Sequence, residues 1–97
     1  MAVARQYVMQ SSSDGKAAIE TALSELAKAV RALPGCEGVE ILHDLDDEHR
    51  YLLIERWASE DAYRMAGSQL PKHLLRALIT ELEGPPAASR LGYLEIV

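Results

Sequence analysis

Apolar positions flank the polar pair Arg5-Gln6 over residues 2–9, AVARQYVM, whose β-branched and aromatic side chains favour a strand. From Lys16 to Leu33 the period changes, and Ile19, Ala22, Leu23, Leu26, Val30 and Leu33 recur on one helical face. The intervening SSSDG (11–15) offers Ser13 or Asp14 as the cap of that helix, and Pro34-Gly35 stops it. CEGVEILHDL (36–45) alternates as a second strand does, RYLLIERW (50–57) is the third, and the polar DDEH (46–49) between them predicts a hairpin. Ser59 then caps a short helix whose first turn carries Glu60 and Asp61, and which gives way near Gly67-Ser68. Pro71 sits early in a further helix with the stripe Leu74, Leu75, Leu78, Ile79 and Leu82. Gly84-Pro85-Pro86 ends it, and SRLGYLEIV (89–97) predicts a last strand.

The order β-α-β-β-α-β, with its second helical leg in two pieces, predicts an α+β fold of the ferredoxin-like plan. A four-stranded antiparallel sheet then carries its helices on one face, in a single domain over residues 1–97. Along the third strand Tyr51, Leu53, Glu55 and Trp57 point one way, and Leu52, Ile54 and Arg56 the other. The first set, joined by Tyr93 of the last strand, mixes aromatic and acidic groups as a pocket lining does. Apart from Arg56, the second set is aliphatic. The helices cover only one face, and an open apolar face exceeds what monomers tolerate, so a second copy is expected to pack its sheet here. Glu40 and Asp44 share a face with Leu42, which requires a bulge at Gly38 or exposure near the sheet edge.

Composition narrows the classes. A net charge of −5 without a Lys/Arg cluster argues against nucleic acid, whose phosphates must be met by cations. No run approaches the ~18 apolar residues of a membrane span. The single Cys36 cannot form an internal disulfide, and the N-terminus lacks a signal-peptide core, so the expected compartment is the cytoplasm. There is no Gly-rich nucleotide fingerprint and no helical His-x-x-x-His pair. DLDDEH (44–49) has histidine where a calcium loop needs glycine, and is read as a turn.

The groups left to carry chemistry are few. Trp57 is both a core anchor and a flat cavity wall, with an indole N–H that needs a partner. Tyr51 and Tyr63 pack amphipathically and offer hydroxyls to a phenolate. Glu55 is either the partner of a nearby arginine or a buried base. His73 is an exposed helical histidine, a general base or an iron ligand, while His43 and His49 flank the hairpin turn.

Over nearly its whole length the chain resembles the antibiotic biosynthesis monooxygenase family. The likeness is carried by LPGCEGVEILHDLDDEHRYLLIERWASEDAY, by the Pro-started amphipathic helix and by GPP...YLEIV, with PGC (34–36) and ERW (55–57) its most recognisable points. The resemblance implies a dimeric α+β barrel with a cavity between sheet and helices. Members oxidise polycyclic phenols or quinols, or degrade haem. Trp57 matches the tryptophan that closes the third strand, and Tyr63 the tyrosine six residues later in anthrone-oxidising members. Arg76 falls one position short of their helical arginine, and Leu53 stands where they have asparagine. The first-strand asparagine of haem-degrading members falls near Gln6 or Tyr7; His73 lies about two positions from their iron-ligating histidine. Histidines common in the family would fall at Ala66 and Pro71.

The expectation is a cofactor-independent monooxygenase that oxidises an electron-rich phenol, anthrone or quinol with O₂, haem being the lesser alternative. Trp57, Tyr63, Arg76 and His73 are its catalytic candidates, and Gln6, Tyr7, Tyr51, Leu53 and Glu55 line its cavity. A non-catalytic small-molecule-binding dimer and an isomerase-like barrel enzyme are the other two classes.

Overall fold

A computed structural model describes residues 1–12 and 16–97. The strands are β1 (Val3–Gln10), β2 (Cys36–His43), β3 (Arg50–Trp57) and β4 (Ala87–Gly92), and the helices α1 (Lys16–Arg31), α2 (Glu60–Ala66) and α3 (Lys72–Thr80). They form one antiparallel sheet in the order β2-β3-β1-β4, which is the expected ferredoxin-like α+β fold.

The central pair sets the core. Register places Val3 opposite Trp57, Arg5 opposite Glu55, Tyr7 opposite Leu53 and Met9 opposite Tyr51, so these eight side chains share one face. α1 lays Ile19, Leu23, Leu26 and Val30 across that face, and all four are buried. Each such side chain contributes roughly 1.5–3 kcal/mol, which outweighs the weak helix propensity of any one position. Leu78 of α3 and Leu82 beyond it complete the cluster.

The turns follow local chemistry. Asp44 Oδ1 accepts from the backbone N–H of Asp46 and of Asp47, which ends β2 at His43 rather than at the expected residue 45. The register shift between Cys36 and Gly38 is the anticipated bulge, and it leaves Glu40 and Leu42 exposed on the outer face of an edge strand. The Ser13 or Asp14 cap lies outside the described residues.

The last strand differs from expectation. β4 runs from Ala87 to Gly92 instead of 89–97, because it pairs only with β1, and Val3, where β1 begins, already faces Gly92. Past Gly92 the chain has no strand to pair with. Tyr93 does not join the face of Tyr51 and Trp57. Its ring sits over the Arg56 guanidinium, 5.3 Å from the centroid, on the opposite side of the sheet. Leu94, Ile96 and Val97 are exposed, as are Leu42 and Leu91 on the outer face.

Candidate functional site

Between the sheet and the α2–α3 leg lies an apolar cavity of two lobes. The first, about 220 Å³, runs between Trp57, Tyr63 and Leu33. The second, about 140 Å³, is walled by Met9, Leu26, Leu53, Leu78 and Pro86. Tyr7, Val30, Glu55, Leu70 and Leu75 border both, so the lobes meet over the middle of β1 and β3. Together they reach the lower end of the roughly 300–1,000 Å³ usual for ligand pockets.

The polar groups gather on the first lobe. Glu55 is 6% exposed, and its Oε1 accepts from the Trp57 indole N–H at 2.9 Å. Burial raises the Glu55 pKa above the ordinary carboxylate value, while the Trp57 hydrogen bond and the charge of Arg5 pull it down. Tyr63 meets Trp57 edge to face, with ring centroids 5.8 Å apart. The Tyr7 and Tyr63 hydroxyls approach to 3.4 Å, longer than a normal O–H···O bond, so a ligand oxygen can replace the contact at little cost. Burial, the Tyr63 hydroxyl and the Glu55 charge raise the Tyr7 pKa, which keeps its phenol a proton donor at neutral pH.

Arg5 underlies this cluster. Its guanidinium lies 4.3 Å from the centroid of the Tyr63 ring and 5.9 Å from that of Tyr7. Its Nε is buried without a hydrogen-bond partner. Desolvation would lower its pKa, but Tyr7, Tyr63 and Glu55 together raise it, so the cation persists. The β3 alternation points Glu55 inward, and the one cation directly across the ladder is Arg5.

The position of Tyr63 depends on how α2 is seated. Ser59 caps the helix, its Oγ accepting from Ala62 N–H at 3.1 Å. Gly35, at φ +86°, lets the chain turn where a Cβ would stand 2.5 Å from the Ala62 Cβ. The Gly35 carbonyl accepts from Ala58 N–H at 2.8 Å. The PG pair read as a helix stop is therefore also the seat of α2.

The residues singled out from sequence divide into two groups. Tyr7, Glu55, Trp57 and Tyr63 line the first lobe, and Leu53 lines the second. Tyr51 is buried at the far end of the sheet face, stacked on His43 at 4.3 Å, and its hydroxyl donates to Glu20 at 2.9 Å; burial and that bond push its pKa up to about 12. Gln6 falls on the opposite face of β1, level with Ile54 and Ser89, because it alternates with Tyr7. His73 and Arg76 lie exposed on α3, outside both linings, since the buried stripe of that helix turns Leu74, Leu75 and Leu78 inward instead. Arg5 was not singled out. An arginine beside Gln6 in a short strand signals nothing until the register of β1 on β3 brings it level with Glu55.

No histidine lines either lobe. Among the described residues no group of three or more His, Cys, Asp or Glu is placed to hold a metal ion, and no helix is long and apolar enough to cross a membrane.

A ferredoxin-like domain with an apolar cavity between sheet and helices is the class that fold and site define. The sequence profile described as antibiotic biosynthesis monooxygenase matches residues 3–67, more than half of the chain, and the protein belongs to that family. Its fold is similar to that of SnoaB, a cofactor-independent oxygenase from Streptomyces nogalater, with a TM-score of 0.88 at 19% identity over 99% of this chain and 96% of that one. It is also similar to Rv0793 from Mycobacterium tuberculosis, with a TM-score of 0.84 at 23% identity over 99% and 98% of the two chains. No curated protein sequence matches it.

Proposed function

We propose that the protein is a cofactor-independent monooxygenase, working as a cytoplasmic homodimer, that converts a small hydroxylated aromatic to a quinone with O₂. The observation that carries this reading is the apolar cavity whose polar groups, Tyr7, Glu55, Trp57 and Tyr63, all meet at its first lobe. Membership of the family and the likeness in fold to SnoaB support it.

The chemistry needs no external reductant. A phenol and O₂ give a quinone and water, the substrate supplying all four electrons. Once the phenol has lost its proton, the phenolate passes one electron to O₂, and the resulting radical and superoxide combine to form a C–O bond. The peroxide anion takes back the proton the phenol lost. Its O–O bond then breaks as the ring C–H proton leaves. The distal oxygen departs as hydroxide and takes up that second proton to become water, while the proximal oxygen stays as the carbonyl. The apolar lining excludes water from the radical pair. Tyr7 and Tyr63 donate hydrogen bonds to the oxygen on which charge collects, and Trp57 walls the ring.

The dimer is argued from the outer sheet face, where Leu42 and Leu91 are exposed and Val8, Leu52 and Ile54 only half-buried. A binding-only role is the second reading, and Leu53 favours it, since a leucine offers no hydrogen bond to an oxygen adduct. Oxygen uptake by chelator-treated protein against hydroquinones, naphthols and anthrones separates the two. Uptake with one quinone formed per O₂ and no hydrogen peroxide released supports the enzyme; tight binding without uptake supports the binding dimer.

A further inference from the structure

Deprotonation is a step for which the Tyr7 phenol is unsuited, because its raised pKa keeps it a donor at neutral pH. Glu55 is the only carboxylate among the described residues that line either lobe, and it borders both. Its Oε1 is fixed by the Trp57 indole N–H at 2.9 Å, which leaves Oε2 as the acceptor for a ligand. Resting on the oxygenase reading, we propose that Glu55 is the general base of this site, accepting the hydroxyl proton of a one- or two-ring phenol or hydroquinone held across the two lobes. The substrate O–H bond breaks, its electron pair stays on oxygen, and the proton moves to Oε2. The phenolate so formed lies beside Tyr7 and Tyr63, with the Arg5 cation behind them.

Three features beyond proximity support the assignment. The titratable groups that face Glu55 are Arg5 and Tyr7 from β1, Tyr63 from α2 and Cys36 at the start of β2, and Arg5 alone among them is a fixed cation. Arg5 therefore offsets the charge wherever it resides, on the carboxylate before transfer or on the phenolate after it. Burial lifts the Glu55 pKa above the ordinary carboxylate value, against the pull of the Trp57 hydrogen bond and Arg5, which makes the carboxylate a stronger base. The substrate's size follows from the cavity: the first lobe takes a hydroxylated ring, and the second, walled by Met9, Leu26, Leu53, Leu78 and Pro86, takes an apolar second ring or short substituent.

The experiment is the pH dependence of oxygen uptake for wild type and Glu55→Gln with a naphthalenediol, alongside binding of its dimethyl ether followed by Trp57 fluorescence. Glutamine still accepts from the indole, so a merely structural role survives the change, but it cannot take a proton. The expected result is a fall in kcat of roughly 10²–10⁴-fold at neutral pH with ether binding unchanged. The rising limb of the rate then moves from the carboxylate range to the substrate's own pKa, and the two proteins converge above it. Glu55→Asp, which keeps a carboxylate, retains the low-pH limb and serves as the test should the glutamine variant fold poorly. Wild-type turnover with an unshifted profile in Glu55→Gln overturns the base and leaves the oxygenase standing. No uptake by wild type at any pH overturns both.

Discussion

The Trp57 indole N–H donates to Glu55 Oε1 at 2.9 Å, joining the largest side chain of β3 to the acidic group two positions before it on the same face. Ending the strand on tryptophan makes the pair a unit, the indole N–H satisfying one oxygen of the buried carboxylate. Glu55 has its folded pKa raised, chiefly by burial, so the folded state binds its proton more tightly than the unfolded chain. Stability is then greatest below the unfolded carboxylate value and falls as pH rises through the raised folded value. We expect Glu55→Gln to abolish that fall and to unfold at equal or higher urea than wild type at pH 8, measured by urea titration at pH 5 and 8.

Trp57→Phe removes the donor and leaves the buried carboxylate unpaired. Losing a partner of a buried polar group costs roughly 1–3 kcal/mol. The variant is expected to lose stability at pH 8, and to recover part of it at pH 5, where a protonated Glu55 no longer needs the indole.

Gly35→Ala places a methyl 2.5 Å from the Ala62 Cβ at a backbone φ of +86°. Holding a non-glycine residue in such a conformation costs about 1–3 kcal/mol before the clash is counted. We expect a loss of at least that size in urea unfolding, together with displacement of α2 and therefore of Tyr63. Ser59→Ala, which removes only the cap, is expected to cost about 1 kcal/mol without shifting the helix.

His73→Ala and Arg76→Ala are expected to leave turnover within about twofold of wild type, the roughly 0.5 kcal/mol scale of surface substitutions. Both side chains are exposed on α3 and outside the cavity lining, whereas Tyr63 is inside it. A steady-state comparison with Tyr63→Phe checks the contrast.

Ile54→Asp sets a charge among Leu42, Leu52 and the exposed Leu91 on the outer sheet face. We expect it to convert a dimer to a monomer in sedimentation velocity with the helical circular dichroism retained.

The architecture could be read from periodicity because each element carries its own signal. RYLLIERW is an apolar run bounded by the polar DDEH turn and by Ser59, so β3 falls on Arg50–Trp57 as expected, and Ser59 caps α2 as its position suggests. Trp57 and Glu55 were legible as cavity candidates because strand parity sets them on one face with Tyr51 and Leu53, and Tyr63 through the resemblance to anthrone-oxidising members. What could not be read depends on pairing between distant segments. Gln6 and Tyr7 alternate, and only the register of β1 against β3 decides which faces the helices. The same register brings Arg5 to Glu55. YLEIV has the composition of a strand, yet β1 begins at the level of Gly92, and no sequence pattern announces that a partner has run out. On α3, leucine stripe and charged face are both visible, but which side meets the cavity depends on how the helix docks.

The most direct test of the central claim is to run the reaction under ¹⁸O₂ with a naphthol, trapping the product by reduction before its carbonyls exchange with water. The account expects one labelled oxygen in each product molecule and the other in water, with label incorporation lost in Glu55→Gln at neutral pH. Quinone free of label with hydrogen peroxide accumulating, or no product at all from the intact protein, would contradict it.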